Sequence, residues 1–204
     1  AISATVDIRR FFPKRSKEKY DLVIIAQLIP TKKVDVFLEI VSKLIKKGFK
    51  IRSLVLGEGA LREYLEDLSV KMGLKDTVEF LGFQPDVENY LNQSKIFLFP
   101  SVKEGLSLAM LEAMACGVVP VVSDVDDLSD AVKDRINGRL VNKDDIDSFV
   151  SAVSELLINP ETLKHYSYNA VEFIRNNYTI ETASQKWKEI LTSLDAEKRN
   201  RYKV

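Results

Sequence analysis

Up to Val141, short β-rich runs alternate with longer amphipathic runs, and this alternation restricts the chain to very few architectures. The strand candidates are Tyr20–Ala26, Lys50–Leu56, Thr77–Leu81, Lys95–Phe99, Val118–Val122 and Gly138–Val141. Several are apolar on both faces, as strands covered on both sides must be. Helices are predicted between them at Val34–Lys47, Leu61–Met72, Val87–Gln93, Leu106–Cys116 and Leu128–Lys133. In the first, Phe37, Ile40, Val41, Leu44 and Ile45 form one apolar stripe and Gly48 supplies the stop. After Asp144 the pattern is purely helical, at Ile146–Ile158, Pro160–Asn177 and Ile180–Glu197, with Asn159-Pro160 as a break. Trp187, Tyr178 and Ile190 are expected to dock the last helix.

Strands that alternate with helices predict an α/β fold: a doubly wound, parallel, six-stranded sheet with helices on both faces and further helices at the C-terminus. The commonest order of such a sheet, 3-2-1-4-5-6, makes strands one and four neighbours at a switch point where ligands bind. The loops expected there are Gln27 to Lys33 and Pro100 to Gly105.

Composition removes several function classes. Thirty Lys and Arg balance thirty Asp and Glu, so no bulk charge favours nucleic acid or membrane. No apolar run reaches transmembrane length, and Arg9, Arg10, Phe11 and Phe12 interrupt what a signal peptide would need. Cys116 is the single cysteine and His165 the single histidine. Disulfides, cysteine-based metal clusters and Ser-His-Asp chemistry are therefore disfavoured, no metal is expected, and a reducing cytoplasm is the simplest compartment. Cys116 reads as a small core hydrophobe and His165 as a surface residue.

Glu112 is the only charge between Gly105 and Ser123. A carboxylate in so apolar a run needs a path to water or a partner. Eight residues earlier, Glu104 stands in the expected crevice. Gly105 permits close backbone approach, and Ser107 is placed to cap the helix that follows. The N–H groups of Leu108 and Ala109 would then face the crevice as a phosphate site. Glu112, about a turn on, would accept two hydrogen bonds from a sugar diol. The plainer alternative is that both acids are solvated.

The run from Pro100 to Val122 resembles the Glu-x7-Glu signature of nucleotide-sugar glycosyltransferases of family 4, with one extra residue between Gly117 and Pro120. Val55-Leu56-Gly57-Glu58-Gly59 with Leu61-Arg62, Val78 to Phe83, and Asn137 to Val141 resemble that family's second, third and sixth strand regions. Val6-Asp7-Ile8-Arg9-Arg10-Phe11-Phe12-Pro13 is similar to its interdomain segment.

The resemblance implies a Rossmann-like C-terminal donor domain of the GT-B fold. Residues 1–19 would form the linker, 20–177 the nucleotide-sugar-binding domain and 178–204 a terminal helix and tail. The acceptor-binding N-terminal domain is expected to be absent, leaving the chain inactive alone. The implied reaction is sugar transfer, with retention and without cofactor, from a nucleotide diphosphate-sugar to a sugar, lipid or other hydroxyl acceptor. In this mapping Glu104 and Lys32 are catalytic. Glu112 binds ribose, Phe83 sits at the base, and Gln27, Lys33, Gly57, Gly105, Ser107, Leu108 and Ala109 surround the donor. The basic stretch Arg9 to Lys17 offers charge to an anionic membrane or nucleic acid, but its likeness to the linker is the stronger reading. No nucleic-acid partner is expected; peripheral membrane contact remains open to a full-length enzyme.

Three positions depart from the family pattern. Gln27 stands where an Arg is usual and cannot supply a charged phosphate fork. Ser107 replaces a Gly, and Asp126-Asp127 replace Gly-Gly. They motivate a second expectation, a non-catalytic nucleotide-binding or interaction module. A third, a GT-B-like sugar-nucleotide epimerase, shares the fold but not the two-acid signature. Gly57-Glu58-Gly59 also invites a dinucleotide reading, but it follows strand two and Arg62 holds the third Gly position. A structural turn is the better reading, with glycines that bring backbone near a donor.

Overall fold

The computed structural model describes residues 4–14, 16–125 and 127–201. Six parallel strands, β1 (Tyr20–Ile25), β2 (Ser53–Leu56), β3 (Val78–Gly82), β4 (Ser94–Phe99), β5 (Val119–Ser123) and β6 (Arg139–Val141), form one sheet. Their order is β3-β2-β1-β4-β5-β6, the doubly wound arrangement that the alternation predicts. Leu22 pairs with Ser53 on one side and Ile96 on the other, so β1 and β4 meet at the switch point.

The helices are α1 (Val34–Lys46), α2 (Arg62–Lys71), α3 (Val87–Leu91), α4 (Leu108–Ala115), α5 (Leu128–Ala131), α6 (Ile146–Ile158), α7 (Pro160–Asn177) and α8 (Ile180–Arg201). α1 packs on α2 and α6; α4 packs on α3 and α7. Right-handed crossovers place those two groups on opposite faces of the sheet. Phe37, Phe97, Phe99 and Phe149 are fully buried, each burial stabilising the fold by about 2–3 kcal/mol. Val6 and Phe11 also enter this core, so part of the segment before β1 packs on the domain.

Several boundaries shift for physical reasons. β2 starts at Ser53 rather than Lys50, although the Arg52 carbonyl still accepts from Asp21 and Leu22. α4 starts at Leu108 rather than Leu106 because Ser107 caps it, its hydroxyl accepting from the Met110 N–H at 3.3 Å. α5 stops at Ala131, where Val132 turns extended. Of the residues expected to dock the last helix, only Tyr178 packs against the core, its ring beside that of Phe173. Trp187 is 51% exposed, and Ile190 and Leu191 are exposed beside it. Their spacing is amphipathic, but no described element covers that face.

The turn after β2 lies directly on the loop after β1. Leu28 N–H donates to Glu58 O (2.9 Å), and Leu61 N–H donates to Leu28 O (3.1 Å). A Cβ on Gly57 would overlap the Ala26 carbonyl, and one on Gly59 would overlap Leu28. The glycines therefore bring backbone against backbone, not primarily against a ligand. Gly57 also has φ 132, a region that side chains rarely adopt. Gly57→Ala should destabilise the fold by about 3 kcal/mol, combining overlap with backbone strain, and denaturant unfolding would measure it.

Candidate functional site

A cavity of about 590 Å³ opens at the carboxyl ends of β1, β2 and β4. Its floor is Phe99, with Ile25 and Leu56 beside it. One wall carries Gln27 and Lys32 from the loop after β1. Gly57 and Glu58 form a second wall, and Phe83 lies beyond them. Leu106, Ser107, Leu108 and Ala109 supply the third.

Local chemistry explains how these side chains are presented. Pro30 opens a single 3-10 turn, Pro30–Lys32, which swings Lys32 inward. Lys33 then adopts a left-handed backbone (φ 52) as the chain enters α1. Of the two adjacent lysines, only Lys32 lines the cavity. Its ammonium lies 2.5 Å from Glu104 Oε1 and 5.6 Å from the centre of the Phe99 ring. Glu104 is only 8% exposed. The fully buried Ser101 hydroxyl reaches the same carboxylate at 2.6 Å and the Thr31 carbonyl at 2.9 Å. Val102 N–H also donates to Thr31 O at 3.0 Å, so the loops after β1 and β4 are tied together through backbone as well.

Gln27, Lys32, Gly57, Phe83, Glu104, Ser107, Leu108 and Ala109 thus share one cavity. Lys33, Gly105 and Glu112 do not line it. Gly105 is exposed beside Glu104. Phe83 is 75% exposed, so it is a rim residue and not part of the core. Asp127 is exposed at the start of α5 and away from the cavity; Asp126 lies outside the described residues. Among the described residues no cluster of acids, His and Cys is arranged to hold a metal.

Glu112 is half-buried on α4, with no hydrogen bond or ion pair to its carboxylate among the described residues. Burial raises its pKa, the positive charge of Arg10 opposes that shift, and Glu88 adds to it. Arg10 is bound to the Glu88 carboxylate at 2.8 Å. On the same helix, burial pushes the Cys116 thiol up to about 12, which leaves it unreactive. His165 is exposed on α7.

Sequence reasoning missed Ser101, Glu58 and Arg10. Ser101 was visible only as one letter of a motif. Arg10 was visible only as one member of a basic run.

The family model of glycosyl transferases group 1 matches residues 6–173. The chain belongs to that family. This glycosyltransferase domain is 28% identical to the UDP-Gal:alpha-D-GlcNAc-diphosphoundecaprenol alpha-1,3-galactosyltransferase of Escherichia coli, over 91% of this chain and 51% of the relative. The chain spans about half the length, or less, of the curated relatives it matches. Its fold matches the C-terminal domain of the group 1 protein LpcC from Francisella tularensis with a TM-score of 0.78. That match is 23% identical and covers 86% of this chain and 99% of that one. Anabaena HepE, solved in complex with UDP, matches with a TM-score of 0.84 at 17% identity, over 93% of this chain and 56% of that one.

In this glycosyltransferase domain the raised pKa of Glu112 has a stability consequence. The folded state holds that proton more tightly than the unfolded state does. The contribution is therefore full below the ordinary carboxyl range and is lost as pH rises through the elevated folded value. Glu112→Gln should raise Tm by about 2 °C at pH 7, and the gain should vanish near pH 4; thermal melts across pH would measure both.

Proposed function

We propose that the chain is the donor-binding C-terminal half of a family 4 glycosyltransferase, and that it binds a nucleotide diphosphate-sugar. The observation that carries this reading is the switch-point cavity, where Lys32, the capped start of α4 and the exposed ring of Phe83 surround Glu104. The likeness to a group 1 C-terminal domain from Francisella tularensis supports the domain assignment. The UDP held by Anabaena HepE, of the same fold, supports the ligand class.

The chemistry follows from placement. The diphosphate accepts from the N–H groups of Leu108 and Ala109 and attracts the Lys32 ammonium. Lys32 is already engaged by Glu104, so the two anions compete for one cation. Negative charge growing on the departing diphosphate draws Lys32 further from Glu104 and leaves that carboxylate better able to accept from a donor-sugar hydroxyl. Phe83 offers an apolar face to the base. Glu112, one turn beyond Leu108, accepts from the ribose diol. Gly57 lets the second wall approach closely. Gln27 hydrogen-bonds without charge, and Lys33 and Gly105 act through the loops they shape. Transfer itself proceeds with retention and without an essential metal. It requires an acceptor hydroxyl brought by a second domain, so this half alone transfers negligibly.

A second reading, a non-catalytic nucleotide-binding module, is favoured by one feature. Lys32 is the single cation lining the cavity among the described residues, because Gln27 stands where the family has Arg. Sugar transfer by the longer protein from any nucleotide-sugar would overturn it.

Calorimetry with UDP, GDP and ADP tests the main reading, and absence of binding to all three at millimolar concentration would overturn it. Lys32→Ala should weaken nucleoside diphosphate and inorganic pyrophosphate alike, by about tenfold. Glu112→Ala should weaken the nucleoside diphosphate about tenfold and leave pyrophosphate nearly unchanged; equal losses for both ligands would remove its ribose role.

A further inference from the structure

The segment before β1 is not a passive lead-in. Val6 N–H donates to the Tyr178 carbonyl (2.7 Å), and the Phe11 ring is buried. Phe11 and Ile8 line a small gap together with Ala115 of α4 and with Ile174 and Arg175 of α7. Lys14 N–H donates to Asn92 Oδ1 (2.6 Å), whose amide in turn donates to Glu88 O (2.8 Å). Arg10 is clamped at three points. Its Nε and Nη2 donate to Glu88 Oε2 (3.1 and 2.8 Å), and Nη2 also donates to Pro85 O (2.5 Å). The segment therefore runs along the face of α4 that carries Glu112 and Ala115, one turn apart.

Arg10 is the cation that acts on the half-buried Glu112 carboxylate, and Glu88 is the anion that acts on it. Lys14 lies further along the same face, where it acts on Cys116. We propose that Arg10 is a positioning residue of the nucleoside site, coupling Glu112 to the seating of the Val6–Pro13 segment. Displacing that segment then loosens the hold on a ribose diol while the phosphate contacts stay intact. This rests on the ribose role of Glu112, and the experiments separate the two.

A carboxylate can accept from both ribose hydroxyls with a full charge, whereas in a carboxylic acid one oxygen becomes an O–H donor and the neutral group accepts less strongly. Binding through Glu112 therefore weakens as pH falls through its elevated pKa, and loss of Arg10 moves that fall to higher pH. Binding is also reciprocal: if the segment's seating strengthens ribose binding, ribose binding must strengthen the seating.

The test is calorimetry with UDP and with inorganic pyrophosphate, from pH 5 to 8, on the unaltered chain, Arg10→Gln, Arg10→Lys and Glu112→Gln. Arg10→Gln should weaken UDP about fivefold at the acid end of this range and shift the acid limb of its binding upward, with pyrophosphate unchanged. Arg10→Lys should restore most of the affinity. Hydrogen exchange at the Val6 and Phe11 amides should slow on adding UDP but not pyrophosphate. If Glu112→Gln weakens UDP while Arg10→Gln does not, the positioning role is overturned and the ribose role stands. If Glu112→Gln leaves UDP binding unchanged, both fall. Equal weakening of UDP and pyrophosphate by Arg10→Gln would mean general damage to the fold and would overturn the proposal.

Discussion

The contact between Lys32 and Glu104 carries the rest of the site. A carboxylate that is almost fully buried is costly unless a cation and hydrogen bonds compensate it. Lys32 supplies the cation and Ser101 a hydroxyl. These come from the loops after β1 and β4, the two strands that part company at the switch point. The pair therefore fixes the separation of two walls that the sheet alone leaves open. It leaves the cavity with no excess of positive charge, because Lys32 is matched by Glu104, and Glu58 shares Arg62 with Glu66. An anion entering such a cavity must take its stabilisation from the α4 amides and from redistribution of the Lys32 charge, not from an excess of basic side chains.

The second wall is held by main chain. The turn after β2 hydrogen-bonds to the loop after β1 through Leu28, and two glycines make the approach possible. Gly82 extends the same logic to the third strand. Its N-terminal neighbours pair with β2, its carbonyl accepts from Gly57 N–H, and the Glu58 and Arg62 side chains pass over the space a Cβ would need. Immediately after it, Phe83 projects into solvent at the cavity rim. A flat ligand face stacked on that ring would bury it.

What sequence could show depended on whether the deciding interaction was local. Both-face apolar strands, the capping role of Ser107 and the meeting of the first and fourth loops follow from period, spacing and topology, and all appear in the fold. Lys32 and Lys33 look alike in sequence; a 3-10 turn followed by a left-handed residue separates them. The surroundings of Glu112 were invisible because Arg10 lies 78 residues from Glu88 and reaches it only in the folded chain. Trp187 and Ile190 show the opposite error. Amphipathic spacing reports that a face is apolar, but not that a partner is present to cover it.

α4 joins these threads because its two ends meet different parts of the chain. Its first turn opens on the cavity, beside the Lys32–Glu104 pair. Its next turn, at Glu112 and Ala115, faces the segment that precedes β1. A rigid helix about 12 Å long, from eight residues at 1.5 Å each, thus spans two environments that respond to different events. The placement of the first turn depends on loops locked by the sheet. Contacts one turn later depend on a segment anchored by Arg10, Phe11 and Lys14, outside the sheet altogether. A ligand that reaches both turns would report on both, whereas one confined to the first turn would not sense the segment at all.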